Sequence, residues 1–269
     1  LAETFARHGH DLLLAARDEQ GLAALVQDLN ARLGVSATYV ACDLAIPEGC
    51  NEIEAALRER GLYCEQLVNN AAMLTAGYFH EQESDALLKT LDLNLRAVVD
   101  LTRRFLPDMI AREKGGVLNV SSVEGFMPVP YHATYAATKA AMISWSRSVA
   151  FETMGTGVRV CTVAPGVIET DIHASSGAEN SRYLHYLPRM TPERLAEASY
   201  RRFKKGNWFI IEGLLNRIFF ALARVTPGYL LIPTSGWFFR VRDDGGTPIE
   251  RKPLAHPEEE TDRNGCDTG

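Results

Sequence analysis

The sequence predicts an α/β fold with a mostly parallel sheet, and three observations carry this prediction. Short apolar runs of strand length alternate with segments of helix length from residue 11 to residue 163. The first run, residues 11–17, is almost continuously apolar, which is typical of a strand buried on both faces of a parallel sheet. Polar motifs directly follow several of the runs, at the edge where such sheets present ligand groups.

The predicted elements follow one another without a linker. The sequence opens inside an amphipathic helix, residues 1–8, and Gly9 ends it. After the first strand, Asp18 is placed to cap a helix that Gly34 ends. The further predicted elements are strand 37–44, helix 47–60, strand 67–70, helix 84–112, strand 117–121, helix 133–154, strand 158–163, a helix opening at Thr191, strand 208–211 and helix 214–224.

Composition limits the domain organisation. The chain has 269 residues, of which 46% are hydrophobic and 23% charged, as in a globular protein with a sizeable core. We expect residues 1–240 to form one domain. From residue 241 the chain is polar and rich in Gly, Pro and Glu, so we expect a disordered tail over 241–269.

Charge and cysteine content disfavour several classes of protein. A net charge of −6 makes nucleic-acid binding a poor expectation. The five cysteines form neither a CxxC pair nor a cluster with histidine, so we expect no metal site and a reducing, cytoplasmic location. The first residues lack a signal-peptide pattern, and charged residues and prolines interrupt the apolar region 208–239, so we expect no transmembrane segment.

A tyrosine and a lysine one helical turn apart carry the sharpest chemical signal. Tyr135 and Lys139 share one face of the predicted helix 133–154. A neighbouring ammonium favours the phenolate, which predicts a lowered tyrosine pKa and proton exchange with a carbonyl or alcohol oxygen. Ser122 ends a predicted strand thirteen residues before Tyr135, and the adjacent Ser121 competes for the same role. Tyr131 has no lysine four residues later.

Three other motifs lie beside strand ends or inside helices. The stretch Asn69–Ala72 follows one strand, and Pro165–Thr170 follows another. Asn94 interrupts a mostly apolar helix, an unfavourable place for an amide unless it binds a partner. His132 and His185 lack partners at metal-ligand spacing, so we interpret them as surface or pocket-lining residues.

Together these motifs resemble the classical short-chain dehydrogenases/reductases over about residues 1–215. The resemblance implies a Rossmann-like, doubly wound fold and hydride transfer between a nicotinamide cofactor and a ketone or secondary alcohol. It implies proton transfer by Tyr135, ribose binding by Lys139, polarisation of the substrate oxygen by Ser122 and a water held by Asn94. The residues that it places around the cofactor are Asp43 (adenine), Asn69, Ala71, Pro165, Gly166 and Thr170.

Arg17 favours NADP(H) over NAD(H). NAD-specific sites place a carboxylate after the second strand of this fold, to bind the ribose 2′-hydroxyl. Here Arg17 stands at that position, and a guanidinium suits a 2′-phosphate. The neighbouring Asp18 has two interpretations. It is either a carboxylate for the ribose 2′-hydroxyl of NAD or the cap of the following helix.

The sequence begins inside the first helix of the family pattern. The first strand and the glycine-rich turn of that pattern therefore lie outside it, which predicts unpaired strand edges in the sheet. We expect the 269 residues to be part of a longer product, and to be poorly soluble and inactive when made alone. The alternative is a truncated protein that no longer binds the cofactor.

Two functional hypotheses remain open at this stage. The first is an NADP-dependent oxidoreductase acting on a small-molecule carbonyl or alcohol, which the resemblance implies to be a homo-oligomer through its two long helices. The second is an inactive, degenerate homologue that acts as a non-catalytic binding scaffold. Contact of the region 208–239 with a membrane surface is a third and less favoured interpretation.

Overall fold

A computed structural model describes residues 1–169, 176–178, 180–187, 189–243 and 245–251 of the chain. Within these ranges, ten α-helices and eight β-strands follow one another. In chain order they are α1 (Ala2–Arg7), β1 (Leu12–Ala16), α2 (Glu19–Leu33), β2 (Ala37–Ala41), α3 (Pro47–Glu59), β3 (Gln66–Asn69), α4 (Ser84–Leu91), α5 (Ala97–Ala111), β4 (Gly115–Val120), α6 (Ala133–Glu152), β5 (Val158–Val163), β6 (Val167–Ile168), α7 (Tyr183–Tyr186), β7 (Arg189–Met190), α8 (Pro192–Lys204), β8 (Phe209–Ile210), α9 (Leu214–Val225) and α10 (Gly228–Phe239).

All the strand pairs named here are parallel, which confirms the predicted α/β fold. The main sheet has the order β3-β4-β5-β8, and β1 pairs with β2 in a separate sheet. In the main sheet Asn69 lies beside Asn119, and Val120 beside Val163, so these strands end at a common carboxyl edge. In the described part of the chain β1 and β3 each keep one edge without a strand partner, as the sequence predicts.

Apolar layers cover both faces of the main sheet. Val117 packs into a core cluster with Leu101 and Met109 of α5. The next residue, Leu118, points to the other face and packs with Phe5 of α1 and Phe203 of α8. Side chains that alternate into two cores explain why the strands contain so few polar residues.

The predicted helix 84–112 contains a local irregularity. It is continuous, but α4 and α5 are joined by a π-helical turn, Asp92–Arg96, in which the Ala97 N–H donates to the Asp92 carbonyl. The apolar periodicity of the sequence does not distinguish this turn from a regular α-helix, because one extra residue shifts the pattern only locally.

A further difference lies at the C-terminal end. Helix α10 is not among the predicted elements, because Pro233 and the glycines within it weaken the helical pattern. Beyond α10, Arg242 bridges to Pro248 and the Ile249 N–H donates to the Val241 carbonyl. Residues 252–269 lie outside the described ranges, and the disordered tail over 241–269 stays a prediction.

The turn between α6 and β5 allows a matched test of packing. Gly155 and Gly157 both have a left-handed backbone, with φ of 81° and 79°. An added Cβ at Gly155 meets no atom within 4 Å, whereas at Gly157 it lies 2.0 Å from the Glu113 carbonyl oxygen. We expect Gly155→Ala to cost about 1–2 kcal/mol of unfolding free energy for the backbone alone, and Gly157→Ala to cost clearly more. Urea unfolding followed by circular dichroism measures both, and equal losses would contradict the packing described here.

Candidate active site

The common carboxyl edge of the sheet brings the predicted site residues together. Ser122 follows β4 and opens the short 3-10 helix Val123–Phe126, which packs against α6. Tyr135 lies in the first turn of α6, and Lys139 lies one turn further along the helix. The structure therefore brings these three residues together, and their catalytic roles stay predictions.

Tyr135, Ser122 and Lys139 form one buried group. The Ser122 Oγ accepts the Glu124 N–H at 3.2 Å, and hydrogen bonding by the neighbouring Ser122 side chain acts to lower the pKa of the Tyr135 phenol. The Lys139 Nζ lies 5.5 Å from the centre of the Tyr135 ring and donates to the Val120 carbonyl at 2.9 Å. This carbonyl ends β4, so the lysine ties α6 to the edge of the sheet.

The geometry separates the two adjacent serines. The Ser121 Oγ donates to the backbone carbonyl of Lys139 at 2.9 Å, and the side chain is buried. Ser121 therefore fixes α6 to the sheet, whereas Ser122 is the serine whose hydrogen bonding acts on the pKa of the Tyr135 phenol.

Burial has the largest effect on the pKa values of Tyr135 and Lys139. It raises the pKa of Tyr135, the Glu124 carboxylate raises it further, and the hydrogen bond from Ser122 partly opposes this. Burial also lowers the pKa of Lys139 to about 8, with Glu124 acting in the opposite direction. The predicted lowering of the tyrosine pKa is wrong for this arrangement. The free energy needed to remove the phenolate from water is larger than the stabilisation that the hydrogen bond from Ser122 gives it.

Asn94 is buried and has specific partners, as an amide in an apolar helix requires. It lies in the π-helical turn, where its Oδ1 accepts the Met73 N–H and its Nδ2 donates to the Met73 carbonyl, both at 2.9 Å. Its Nδ2 also lies 3.3 Å from the Thr138 hydroxyl, next to Lys139 in α6. Asn94 therefore positions the segment after β3 against the first turns of α6.

A second buried amide network lies under the same edge. The Asn69 Nδ2 donates to the Asn119 Oδ1 at 2.8 Å, and the Asn119 Nδ2 donates to the Ser146 Oγ at 2.8 Å. The Asn69 side chain thus joins β3, β4 and α6 and points into the protein. The next two residues, Asn70 and Ala71, are exposed, so a cofactor would contact these rather than the Asn69 amide.

The other predicted cofactor residues lie around the same edge. Arg17 follows β1, is exposed and has no ion pair among the described residues, while Asp18 caps α2 by accepting the Gly21 N–H. Asp43 follows β2 and accepts the Ala45 N–H at 2.9 Å. The remaining predicted residues are Pro165, whose carbonyl accepts the Val123 N–H, Gly166, and Thr170, which lies outside the described residues.

A buried contact between a histidine and a glutamate inside the site could not be predicted from the sequence. The His132 Nδ1 lies 2.9 Å from the Glu124 Oε2, and both side chains are buried. His132 also makes edge contacts with the rings of Tyr183 and Phe239. Because the two residues are eight positions apart in an irregular segment, no periodic pattern links them, and His132 was interpreted as a surface or pocket-lining residue.

Asn216 of α9 is another residue that the sequence did not reveal. A Cβ built on Gly166 would lie 2.6 Å from its Oδ1, so α9 approaches the backbone directly after β5. A larger residue at position 166 would therefore displace the Asn216 amide.

The arrangement fits a nicotinamide dinucleotide. The Lys139 amine donates one N–H to the Val120 carbonyl, and its other N–H groups have no hydrogen-bond partner among the described residues. These groups are available to ribose hydroxyls. The exposed Arg17 guanidinium offers a bidentate donor for a phosphate. Within the described ranges, no group of three or more His, Cys, Asp or Glu side chains could hold a metal ion.

Known proteins resemble this chain in sequence and structure. The family model described as short chain dehydrogenase matches residues 1–181. Oxidoreductase UcpA of Escherichia coli K12 is 32% identical over 182 residues, which cover 67% of this chain and 68% of that protein. A short-chain dehydrogenase from Sphingobium yanoikuyae, solved in complex with NADPH, is 29% identical, with a TM-score of 0.73 over 84% of this chain and 90% of that one. The bulky-bulky ketone specific alcohol dehydrogenase of Comamonas testosteroni is 27% identical, with a TM-score of 0.69 over 83% and 85%.

The buried lysine predicts a specific dependence of stability on pH. The unfolded chain keeps the Lys139 proton up to about pH 10.5, whereas the folded protein loses it near pH 8. Between these values the unfolded state binds more protons, so wild-type stability rises with pH relative to Lys139→Met, by up to about 3 kcal/mol at 1.36 kcal/mol per pKa unit.

Urea unfolding of both proteins between pH 7 and pH 10 measures this difference. Lys114→Met is the control, because this exposed lysine pairs with Glu65, which raises its pKa, and both states keep its proton across that range. A difference between wild type and Lys139→Met that stays constant with pH would refute the burial of a titrating lysine.

Proposed function

Because this chain belongs to the short-chain dehydrogenase family, we propose that it is an NADP-dependent oxidoreductase that interconverts a ketone and a secondary alcohol. The observation that carries the proposal is the joint burial of Tyr135, Ser122 and Lys139 at the carboxyl edge of the sheet, with the Lys139 Nζ 5.5 Å from the centre of the Tyr135 ring. The neighbours support the general reaction, since one was solved with NADPH and another is described as specific for bulky ketones.

Each residue has a separate chemical role in this proposal. The nicotinamide supplies the hydride for carbonyl reduction and accepts it for alcohol oxidation. Ser122 donates a hydrogen bond to the substrate oxygen, and Tyr135 gives that oxygen a proton during reduction or removes one during oxidation. Lys139 holds the ribose hydroxyls and keeps α6 against β4 through Val120.

The electrostatics of the site favour the reduction direction. Burial and the Glu124 carboxylate both raise the pKa of Tyr135, so the phenol keeps its proton at neutral pH. A protonated tyrosine is the form that acts as an acid on a carbonyl oxygen. Oxidation needs the phenolate, so we propose that it proceeds best at alkaline pH.

The remaining predicted residues complete the cofactor site. We assign the adenine side to Asp43, the 2′-phosphate to Arg17 and the nicotinamide side to Ala71, Pro165 and Gly166. Thr170, outside the described residues, and a water held by Asn94 stay predictions from the resemblance.

Substitution of Tyr135 distinguishes the enzyme hypothesis from the hypothesis of a non-catalytic scaffold. We expect Tyr135→Phe to lower kcat for carbonyl reduction at least about 100-fold, because general acid catalysis contributes that much or more. The assay follows NADPH oxidation with purified protein that includes any residues encoded in frame upstream of Leu1.

Tyr131→Phe is the matched control, since Tyr131 is a nearby half-buried tyrosine with no lysine one turn later. We expect this variant to keep most of its activity. If wild type shows no turnover with any of a panel of ketones although it binds NADPH, the scaffold hypothesis replaces the enzyme.

Arg17 predicts the choice of cofactor. A charge-assisted hydrogen bond of about 1.5–3 kcal/mol corresponds to about 10- to 100-fold in affinity. We expect Arg17→Ala to lower kcat/KM for NADPH by that factor and to leave kcat/KM for NADH nearly unchanged.

The control is Arg58→Ala, an exposed arginine near the C-terminal end of α3, because helices run antiparallel to the strands and this end lies at the opposite edge of the sheet. Wild-type protein that prefers NADH would reject the assignment of Arg17 to the 2′-phosphate.

A further inference from the structure

Helix α9 presents an apolar face to solvent. Leu214, Ile218, Leu222 and Val225 recur at helical spacing and line one side of the helix, and they are between 47% and 75% exposed. The opposite side is anchored, because Ala223 is buried in the core cluster that also contains Tyr135. A stripe of large aliphatic side chains along three helical turns is an unusual surface for a protein in water.

Helix α10 extends this apolar surface. Tyr229, Pro233 and Trp237 are spaced by four residues and are exposed, and Leu230 lies beside them. Ser235 and Phe239 on the other side are buried, and the Ser235 hydroxyl donates to the Pro128 carbonyl at 3.0 Å. Both helices therefore pack inward and turn their apolar outer faces away from the protein. No helix in the described part of the chain is long and apolar enough to cross a bilayer.

The charged residues between Glu212 and Asp243, the acidic residues that flank these two helices, all have one sign. Residues 213–242 contain four arginines and no lysine, aspartate or glutamate, although the whole chain has a net charge of −6. Arg217 and Arg224 lie on α9 beside the exposed stripe, and both are exposed. This local reversal of charge complements an anionic surface.

A groove beside α10 adds unpaired donors to the same surface. It has a volume of about 600 Å³ and is lined by Arg182, Arg240, Arg242 and Trp237. The Nε atoms of Arg240 and Arg242 are buried and have no hydrogen-bond partner among the described residues, although the Arg242 Nη1 donates to the Gly246 carbonyl. Arg182 lies 3.9 Å above the Trp237 ring. Buried guanidinium donors without acceptors indicate a site for an anionic group.

We propose that α9 and α10 dock the protein on the surface of an anionic lipid bilayer. The apolar stripe and the ring of Trp237 enter the interface between headgroups and acyl chains, and the arginine-lined groove binds a lipid phosphate. Aliphatic side chains, an interfacial tryptophan and arginines are the combination that amphipathic helices use to lie on such membranes.

A second copy of the chain fits this face less well than a bilayer. In a symmetric dimer the same patch faces its copy, so two surfaces of the same positive charge would come together. Like charges brought together in this way disfavour association. A bilayer supplies both an apolar layer and negative charge, so it satisfies the two features at once.

Flotation with lipid vesicles tests the proposal. We expect the protein to float with vesicles of phosphatidylcholine and phosphatidylglycerol and to stay in solution with phosphatidylcholine alone. Leu222→Glu combined with Val225→Glu removes this binding. Arg224→Gln lowers the partition coefficient about fivefold, because each basic residue near an anionic surface contributes about that factor.

Two control variants change comparable residues elsewhere. Phe151→Glu alters a 69% exposed aromatic residue on α6, and Arg201→Gln removes an exposed arginine on α8. Both are expected to bind vesicles like the wild type. Circular dichroism of every variant checks the fold, and the readout needs no activity, so it is independent of the proposed reaction.

Three results would overturn the proposal. The first is a lack of vesicle binding, and the second is equal binding to neutral and anionic vesicles. The third is a dimer in light scattering that dissociates in the Leu222→Glu, Val225→Glu variant while vesicles stay unbound. That last result would assign the face to a second copy of the chain.

Discussion

The cost of burying the Lys139 amine is the constraint on which the site depends. The side chain is 1% exposed, so its position must be held by fixed partners rather than by water. The Val120 carbonyl accepts from the amine, and Ser121 binds the backbone carbonyl of the same residue. Both partners, Val120 and Ser121, lie at the end of β4, so one strand end fixes Lys139 through its amine and through its backbone.

The buried amides extend this rigidity to the neighbouring elements. Asn94 holds Met73 and contacts Thr138, while Asn119 links Asn69 to Ser146. Segments from β3, β4, the π-helical turn and α6 are thereby connected by polar contacts inside an apolar core. Networks whose members are satisfied in this way favour a single arrangement of the groups that they connect. These contacts thus fix the position of α6, the helix that carries the Tyr135 phenol.

Much of the fold and part of the site could be predicted from local patterns. The spacing of Tyr135 and Lys139 places them on one face whatever the tertiary structure, and apolar runs identify strands such as β5 directly. Features that depend on packing could not be predicted. The Glu124–His132 pair forms in an irregular segment, and the direction of the tyrosine pKa shift depends on how deeply the ring is buried. Helix α10 could not be predicted because Pro233, which normally ends a helix, lies inside it on the exposed side.

The π-helical turn at Asn94 has a consequence for how this gene can vary in length. The turn contains one residue more than a regular α-helical turn would. Deleting a single codon there would remove the residue that makes the turn wide and would move Asn94 relative to the helix axis. The asparagine amide would then lose its alignment with Met73. Amino-acid exchanges on the outer side of this helix are therefore far better tolerated than insertions or deletions, and frame-preserving indels should be selected against over these five positions.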